Sequence, residues 1–396
     1  MKDKLINFLY IFLPLIIALS ILIYFIDFKK KEIKQMKEDS GYFVEMSPVG
    51  NVKFKKVPTK ILTVQETYND ILVSFDKENG IAAVGSIDKF FDDFYKDLNI
   101  IPKINKENII QIAVGRNMYD KELFYSLNAD IHHIDPIALS FTKGWKPSDI
   151  TEISNNIGPF FANRYSIENK KPSHLKDYKF YTLEELTLKF GEVYKKEETA
   201  KKLNEFTKNL IKNIQNKLPK NNEKTIAIVY LCRKGIVPFD SESDGYGLSQ
   251  YKILKCKDAF KLKGIKTYSY EGNFGTMLDK ETLLLANPDI IIINEGIYIN
   301  DKYKFFSKRT KILINEFEKF KKDPLLKDIP AFKNNKIILG GIYDQGPIIR
   351  IYQLEMLAKQ LYPEIFGTFR ENHSYPENEQ LFSRDELRKI IKYEQN

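Results

Sequence analysis

Cysteine, histidine and tryptophan are scarce in this chain of 396 residues. The two cysteines, Cys232 and Cys256, exclude a disulfide framework and a zinc site built on several thiolates, and they could form one bridge at most. Four histidines offer no cluster of ligands for a bare transition metal. His132 and His133 are adjacent within an apolar run. If that run is a strand, their side chains face opposite sides of the sheet and cannot share one ion.

The sequence motifs of common catalytic sites are also missing. The chain has no phosphate-binding Gly-x-x-x-x-Gly-Lys-[Ser/Thr] loop, no Gly-x-Ser-x-Gly nucleophile elbow and no His-Glu-x-x-His zinc motif. Its charge surplus of +9, from 62 basic and 53 acidic residues, is spread along the chain rather than gathered into a basic stripe with aromatic residues. We therefore expect no nucleic-acid binding. Paired catalytic carboxylates stay open, because Asp and Glu are plentiful and no spacing singles any of them out. The interpretation reached below expects no enzymatic activity and no resident cofactor.

One apolar stretch, Leu5 to Phe28, is long enough to cross a membrane. As a helix, its 24 residues would rise about 36 Å, against roughly 30 Å for the hydrocarbon core of a bilayer. No small-residue cleavage site and no cysteine for lipid attachment follow it, which predicts an uncleaved anchor; an atypical signal peptide is the alternative. The lysines from Lys29 to Lys37 favour a cytoplasmic body by the positive-inside rule, and this conflicts with the location proposed below.

The rest of the chain has the pattern of an α/β protein. Residues 29–57 are charged and are predicted to be an irregular linker. Beyond them, helical stretches alternate with short apolar runs that lack a polar face, which is typical of strands covered on both sides in a parallel sheet. The predicted strands are Lys60–Val64, Ile81–Val84, Ile131–Ile134, Thr225–Tyr230, Ile290–Ile293 and Lys336–Leu339.

Two segments that are 159 residues apart are similar in sequence. Residues 120–131 and 279–290 are identical at six of twelve positions. Each segment places a glutamate, Glu122 or Glu281, in a short helix that precedes an aspartate and an apolar strand. Two lobes of similar build are the natural interpretation, and chance similarity in a chain so rich in lysine and isoleucine is the alternative.

A long helix is predicted between the two lobes. In Glu197–Leu218, apolar residues recur with i, i+3 and i+4 spacing, and Pro219 ends the helix. Such a helix is a stiff connector that permits only small movements of the lobes. The predicted organisation is a membrane anchor at 1–28, a linker at 29–57, an N-terminal lobe at 58–181, bridging helices at 182–218, a C-terminal lobe at 219–370 and a tail with a short helix at 371–396.

Polar and aromatic loops follow the predicted strands. Ligands of open α/β sheets bind beyond the carboxyl ends of the strands, so these loops supply the candidate ligand contacts. For each candidate, packing within the loop is the alternative, and the single tryptophan could instead be a plug over the lobe. The candidates are Tyr68, Trp145, Arg233, Tyr298 and Tyr343.

Several segments together resemble the class III solute-binding proteins of ABC importers, and archaeal members most closely. The resemblance covers about residues 55–370. Two departures are that Asn128-Ala129 replaces the usual Lys-Pro and that the lipid-anchor cysteine is missing. The segments that carry the resemblance are Val57–Val64, Leu127–Ile131, Ala286–Ile290, Ile329–Ile338, Gly341–Pro347 and Glu355–Pro363.

This resemblance implies two three-layer α/β lobes that are joined by one long rigid helix and hold a ligand in the cleft between them. The ligands of the family are iron-siderophore complexes, haem and corrinoids. The resemblance also implies that Glu122 and Glu281 dock onto an ABC permease that works with an ATPase. We expect a monomer, anchored in the cell membrane with its body outside the cytoplasm. The alternatives are a membrane-anchored enzyme or cofactor-processing protein on a similar scaffold, and a sensor or structural surface protein.

Overall fold

The computed structural model leaves the predicted membrane anchor at residues 5–28 outside its described part. Within that part, no helix is both long and apolar enough to cross a bilayer. The described residues are 41–46, 50–64, 66–85, 95, 108–115, 118–134, 139, 144–161, 181–221, 224–232, 235–239, 249–267, 279–294, 296–299, 302–305, 310–340 and 346–391.

The prediction of an irregular linker at residues 29–57 was wrong for its second half. Strands β1 (Tyr42–Met46) and β2 (Gly50–Phe54) form a two-stranded sheet. Tyr42 stacks on Phe54, with ring centroids 5.3 Å apart. Val44 is buried, whereas Phe43 beside it is 67% exposed. Such alternation is the mark of a strand, but here it is too short to stand out from the charged residues around it.

The N-terminal lobe is built on a parallel sheet with the strand order β5-β4-β3-β8. Strands β6 and β7 form a small antiparallel pair. The elements of this lobe are β3 (Ile61–Thr63), α1 (Glu66–Ser74), β4 (Ile81–Val84), β5 (Ile110–Gln111), β6 (Ala113–Gly115), β7 (Met118–Tyr119), α2 (Lys121–Leu127), β8 (Ile131–His133) and α3 (Pro147–Asn156), with a short 3-10 turn at Glu78–Gly80.

Two helices follow the N-terminal lobe: α4 (Leu183–Tyr194) and α5 (Glu197–Lys217). Thr182 begins α4 with a capping box, in which its hydroxyl accepts from Glu185 N and the Glu185 carboxylate accepts from Thr182 N. The 21 residues of α5 rise about 32 Å. Its predicted apolar face is buried, and it ends one residue early because Leu218 is extended before Pro219.

The C-terminal lobe has a second sheet, in the order β10-β9-β12-β15, with β11 also paired to β9. Strands β9, β12 and β15 are parallel and β10 is antiparallel to β9. Its elements are β9 (Thr225–Cys232), β10 (Gly235–Phe239), α6 (Ser249–Ile253), β11 (Lys257–Asp258), α7 (Ala259–Leu262), α8 (Lys280–Ala286), β12 (Ile290–Ile293), β13 (Gly296–Ile299), β14 (Lys302–Phe305), α9 (Thr310–Lys321), α10 (Pro330–Lys333) and β15 (Ile337–Leu339).

All six predicted strands are confirmed, and the two sheets confirm the α/β fold class. The four isoleucines of β12 show why the pattern was informative, because all four are buried although adjacent side chains point to opposite faces. Only a sheet covered on both faces can bury them together. The boundaries predicted for the domains stay predictions.

Three helices complete the chain: α11 (Pro347–Leu361), α12 (Pro363–Phe366) and α13 (Arg384–Ile390), with a 3-10 turn at Glu377–Glu379. The helix predicted in the tail is α13, and the Ser383 hydroxyl caps it by accepting from Glu386 N at 3.1 Å. The tail packs on α11 through a buried ion pair between Glu355 and Arg384.

The sequence repeat corresponds to one structural unit that occurs in each lobe. Helices α2 and α8 each have seven residues, begin after a capping aspartate and end at an asparagine in the left-handed conformation. Those caps are Asn128 (φ 48°) and Asn287 (φ 47°). Asparagine tolerates this conformation better than most residues with a side chain, so the shared Asn has a physical reason.

An aspartate follows each of these helices, and its carboxylate accepts hydrogen bonds from residues at the start of the first strand of its sheet. Oδ2 of Asp130 accepts from Thr59 N (2.8 Å), Lys60 N (2.9 Å) and the Thr59 hydroxyl (3.0 Å). Oδ2 of Asp289 accepts from both Thr225 N and the Thr225 hydroxyl, each at 2.9 Å. Each carboxylate thereby fixes the register of β8 on β3 or of β12 on β9.

We expect Asp289→Ala to lower the free energy of unfolding by about 1–3 kcal/mol, because it leaves Thr225 without the acceptor for its N–H and hydroxyl groups. Asp289→Asn is the matched control, since its amide oxygen can still accept. Urea denaturation at pH 7 measures both variants. Equal losses for Ala and Asn would show that the hydrogen bonds contribute nothing and that the charge alone matters.

Candidate functional site

The carboxyl ends of the two sheets define where a ligand of this fold would bind. In the N-terminal lobe, β3, β4 and β8 end at Thr63, Val84 and His133. In the other lobe, β12 and β15 end at Ile293 and Leu339. Much of the loop structure beyond these ends, including residues 86–94, 135–138 and 341–345, lies outside the described residues.

Tyr68 lies in the first turns of α1 and is completely buried. Its ring stacks on Phe190 of α4, with centroids 5.5 Å apart, and lies at an angle to His133, at 6.0 Å. These contacts join the N-terminal sheet to the bridging helices. Packing therefore accounts for the burial of Tyr68, and a role in ligand binding stays a prediction.

Trp145 is also buried, with 7% of its surface exposed. Its ring meets Phe124 edge to face at 4.9 Å, and its indole N–H donates to the Tyr119 carbonyl at 3.0 Å. The side chain belongs to the core cluster of the N-terminal lobe. This placement favours the alternative considered above, that the tryptophan is a plug over the lobe, over an indole that is open to a ligand.

The candidates of the C-terminal lobe are only partly described. Tyr298 lies in β13, which pairs with β14 in an antiparallel two-stranded sheet. Arg233 and Tyr343 lie outside the described residues. Asn294 directly follows β12 and is buried, and Nδ2 of its amide has no hydrogen-bond partner in the described part of the chain. It is therefore a further polar group at the edge of this sheet where a ligand would bind.

His132 and His133 face opposite sides of the sheet, as predicted. His132 stacks on Phe160 (centroids 4.9 Å apart) and its Nδ1 donates to the Gly158 carbonyl. His133 stacks on Phe190 (4.4 Å), and its Nε2 accepts from the Tyr194 hydroxyl at 2.6 Å. Burial lowers the pKa of His132 to about 4 and that of His133 to about 3, so both rings are neutral at pH 7.

The two halves of the chain are joined by a contact that we call the interlobe cap. It consists of the Asp70 carboxylate on α1 and the first N–H groups of α11. Oδ2 of Asp70 accepts from Ile348 N (2.8 Å) and Ile349 N (3.2 Å), and Oδ1 accepts from the Tyr95 hydroxyl (2.6 Å). A helix leaves its first N–H groups unsatisfied, and here the partner comes from a helix almost 280 residues earlier.

The interlobe cap is closely packed and buried. Asp70 is fully buried, and a side chain at Gly346 would overlap it, so only glycine fits before α11. Burial raises the pKa of Asp70 to about 7, while the hydrogen bonds from Tyr95, Ile349 and Ile348 lower it. A second contact lies nearby, where Arg350 of α11 donates to Glu184 of α4 at 2.8 Å. Together they attach α11 to the N-terminal lobe and to the bridging helices.

Sequence reasoning missed the interlobe cap. The available signal was Asp70 directly before the apolar run Ile71–Val73 of α1, since a carboxylate that is buried with such a run requires donors. No sequence pattern identifies the donors, because they are backbone N–H groups.

Glu122 and Glu281 occupy equivalent exposed positions. Each is the second residue of its helix, α2 or α8, in the exposed turn after the capping aspartate. The lysine before each glutamate is paired with an aspartate: Lys121 with Asp149 at 3.2 Å, and Lys280 with Asp323 at 2.5 Å.

Other potential sites in the described residues offer less. A polar groove of ≈ 440 Å³ lies between α5 and the tail, away from the sheet ends. No group of three His, Cys, Asp or Glu side chains in the described part of the chain is placed to hold a metal ion. Cys256 is a free thiol, and burial raises its pKa to about 11.

Comparison with known proteins agrees with this architecture. A family profile described as periplasmic binding protein matches residues 158–341, which include the bridging helices and most of the C-terminal lobe. The chain has the fold of a periplasmic binding protein. The resemblance to class III solute-binding proteins is confirmed, while the likeness to archaeal members stays a prediction. No curated protein sequence matches the chain significantly.

Several solved structures share this fold at low sequence identity. The petrobactin-binding protein YclQ from Bacillus subtilis is 14% identical, with a TM-score of 0.57, over 81% of this chain and 98% of its own. The catecholate-siderophore binding protein VctP from Vibrio cholerae is 16% identical, with a TM-score of 0.55, over 81% and 99%. The iron-uptake substrate-binding protein PiuA from Streptococcus pneumoniae is 19% identical, with a TM-score of 0.54, over 80% and 98%.

We expect the stability advantage of the wild type over Asp70→Asn to shrink as the pH rises. The pKa of Asp70 is raised from 3.8 to about 7 in the folded state. Its contribution is therefore fully present below about pH 4 and is lost as the pH rises through about 7. A shift of this size changes the stability difference by at most roughly 4 kcal/mol.

Chemical denaturation of both proteins from pH 4.5 to 8.5 measures this difference. The other titrating groups, including the two buried histidines, are common to both proteins. Their contributions therefore cancel when the unfolding free energy of the variant is subtracted from that of the wild type. An advantage that grows with pH would mean that the three donated hydrogen bonds outweigh burial and hold the carboxylate ionised.

Proposed function

We propose that this chain is the membrane-tethered, extracytoplasmic solute-binding component of an ABC importer. It captures a chelated metal of the iron-siderophore type, or a related bulky ligand such as haem or a corrinoid, in the cleft between its lobes. It then delivers this ligand to the permease. It acts by binding and release and performs no covalent chemistry.

One combined observation supports this proposal: the chain has the fold of a periplasmic binding protein, and each lobe presents an exposed glutamate at an equivalent position. The periplasmic-binding-protein profile and the structural neighbours support the scaffold. YclQ and VctP are described as siderophore-binding proteins, and PiuA is described as part of iron uptake. Glu122 and Glu281 are exposed at matching places in two similar units, which is what a carrier needs to contact a partner with both lobes at once.

The contacts between the lobes support a mechanism with little closure. Helix α5 is long, and α11 is attached to α1 by the interlobe cap and to α4 through Arg350 and Glu184. Large hinge motion would have to expose Asp70 and break these bonds together. We therefore propose that the ligand enters a largely preformed cleft, which suits a rigid, bulky chelate.

The proposed location rests on Leu5–Phe28, which lies outside the described residues. An apolar stretch of this length is sufficient for a single membrane span. The fold supports a body outside the cytoplasm, because structural neighbours such as the periplasmic binding proteins are described as siderophore-binding or iron-uptake proteins. The lysines after the span oppose this orientation. Long domains are nevertheless translocated largely regardless of their charge.

We expect a ferric siderophore to raise the melting temperature of the full-length chain in detergent micelles by several degrees. A ligand at 100 times its Kd stabilises the folded state by about 2.7 kcal/mol. The panel contains ferric catecholates, ferric hydroxamates, haem and a corrinoid. Simple iron, nickel and manganese salts are the matched controls. A shift with the bare salts and none with any chelate would contradict the proposal.

We expect Glu122→Gln and Glu281→Gln each to weaken binding of the full-length chain to its permease–ATPase complex in lipid nanodiscs by about tenfold or more, because each removes one charge from a paired contact. Glu198→Gln, an exposed charge on α5, is the control. Biolayer interferometry measures the affinities. If all three variants bind like the wild type, the docking role of the two glutamates is wrong.

A further inference from the structure

The C-terminal end of α1 is followed by two carboxylates, where a helix favours positive charge. Basic residues stabilise the negative end of a helix dipole, and the last turn of α1 contains none. Asp76 and Glu78 follow the helix instead, in a segment that we call the acidic turn (residues 76–80). The acidic turn leads directly into β4, so it lies at the amino end of the sheet, opposite the edge where a ligand of this fold would bind.

Hydrogen bonds fix the backbone of the acidic turn. Helix α1 ends in a Schellman motif: Asp76 is left-handed (φ 57°), and Lys77 N donates to the Leu72 carbonyl at 2.9 Å. Gly80 N donates to the Lys77 carbonyl at 3.0 Å. A side chain at Gly80 would overlap the Thr59 carbonyl, so the turn packs closely against the residues before β3. The two carboxylates are therefore held on a defined backbone.

Glu78 is buried although its carboxylate is not fully satisfied. Only 6% of this residue is exposed, and its Oε2 has no hydrogen-bond partner in the described part of the chain. A buried charged oxygen without a partner is costly, because it has lost its water and gained no donor in return. The negative charge of Asp76 acts on this carboxylate more strongly than the positive charge of Lys77 does. The charges of the turn thus favour a further cation beside Glu78.

The ligands that the acidic turn offers select the kind of cation. Asp76 and Glu78 supply carboxylate oxygens, and the turn contains no histidine and no cysteine. Oxygen ligands suit hard cations rather than transition metals. Calcium accepts an irregular shell of about six to eight oxygens, whereas magnesium requires a near-ideal octahedron and loses its water reluctantly. Asp76 is exposed, so calcium and the water that completes its shell can reach the turn.

We propose that the acidic turn binds one calcium ion, with Glu78 Oε2 on its buried side and the Asp76 carboxylate on its solvent side. The ion neutralises both carboxylates and the negative end of α1. Because α1 also carries Asp70, the ion stabilises the helix on which the interlobe cap depends. This inference is independent of the proposed function.

The expected affinity is low, because two carboxylates supply only part of a calcium shell and water must complete it. Calcium sites of extracellular modules have dissociation constants of about 10⁻⁴–10⁻³ M, and we expect the acidic turn to lie in this range. Such a site is occupied only where calcium is plentiful. It would therefore stabilise α1 in a calcium-rich medium and leave it less stable in a calcium-poor one.

Thermal unfolding of the full-length chain in detergent micelles tests the site. At pH 8, about 10 mM CaCl₂ should raise the melting temperature by about 2–4 °C, because the ion binds the folded chain. The rise should saturate as calcium is added, and its midpoint gives the Kd. The controls are MgCl₂ at the same concentration and NaCl at the same ionic strength. An equal rise in either control would show that charge screening alone is responsible, and would overturn the inference.

Matched substitutions assign the effect to the acidic turn. Glu78→Gln and Asp76→Asn should each raise the calcium concentration at half-saturation by about tenfold or more, because each removes one charged ligand. Asparagine tolerates the left-handed conformation, so Asp76→Asn tests the site even if Glu78→Gln does not fold. Glu205→Gln, which changes an exposed carboxylate on α5, should respond to calcium like the wild type. A wild-type response in Asp76→Asn would overturn the inference.

Hydrogen exchange measured by mass spectrometry locates the ion. Calcium should slow the exchange of the amides of residues 76–80 several-fold in the wild type and in Glu205→Gln, and should leave it unchanged in Asp76→Asn. Calcium-dependent protection at another segment, with none in the acidic turn, would place the ion elsewhere and would also overturn the inference.

Discussion

The two halves of this protein depend on one buried carboxylate. Asp70 satisfies the first N–H groups of α11 from the opposite lobe, and its side chain is fully buried. Without this carboxylate the first N–H groups of α11 would be buried and unsatisfied, at a cost of about 1–3 kcal/mol for each group. The glycine before α11 and the tyrosine that donates to Asp70 are both consequences of this geometry.

Helix α11 connects the tail to α1 and to the bridging helix α5. It is buried along nearly its whole length, including Glu355 and Lys359. Arg384 pairs with Glu355, and the Phe366 and Glu379 carbonyls accept from Lys359. Because a buried charge without partners is strongly destabilising, the tail is a structural component of the lobe and not an appendage.

The internal repeat shows how similar lobes acquire different surfaces. Both units share the capping aspartate, the left-handed asparagine and the aspartate that closes onto the first strand. These residues are constrained by backbone geometry. The exposed positions beside the glutamates carry no such constraint, and they have become tyrosine and serine in one lobe but leucines in the other.

The sequence alone determined the α/β class, the six strands, the long bridging helix and the repeat, because each follows from local periodicity, capping or turn chemistry. It also placed the two glutamates in equivalent short helices. Only the tertiary structure decided that Trp145 and Tyr68 are buried, that residues 42–54 form a sheet and that Asp70 caps α11. These outcomes depend on contacts between residues far apart in the chain, and no local pattern of residues specifies its distant partner.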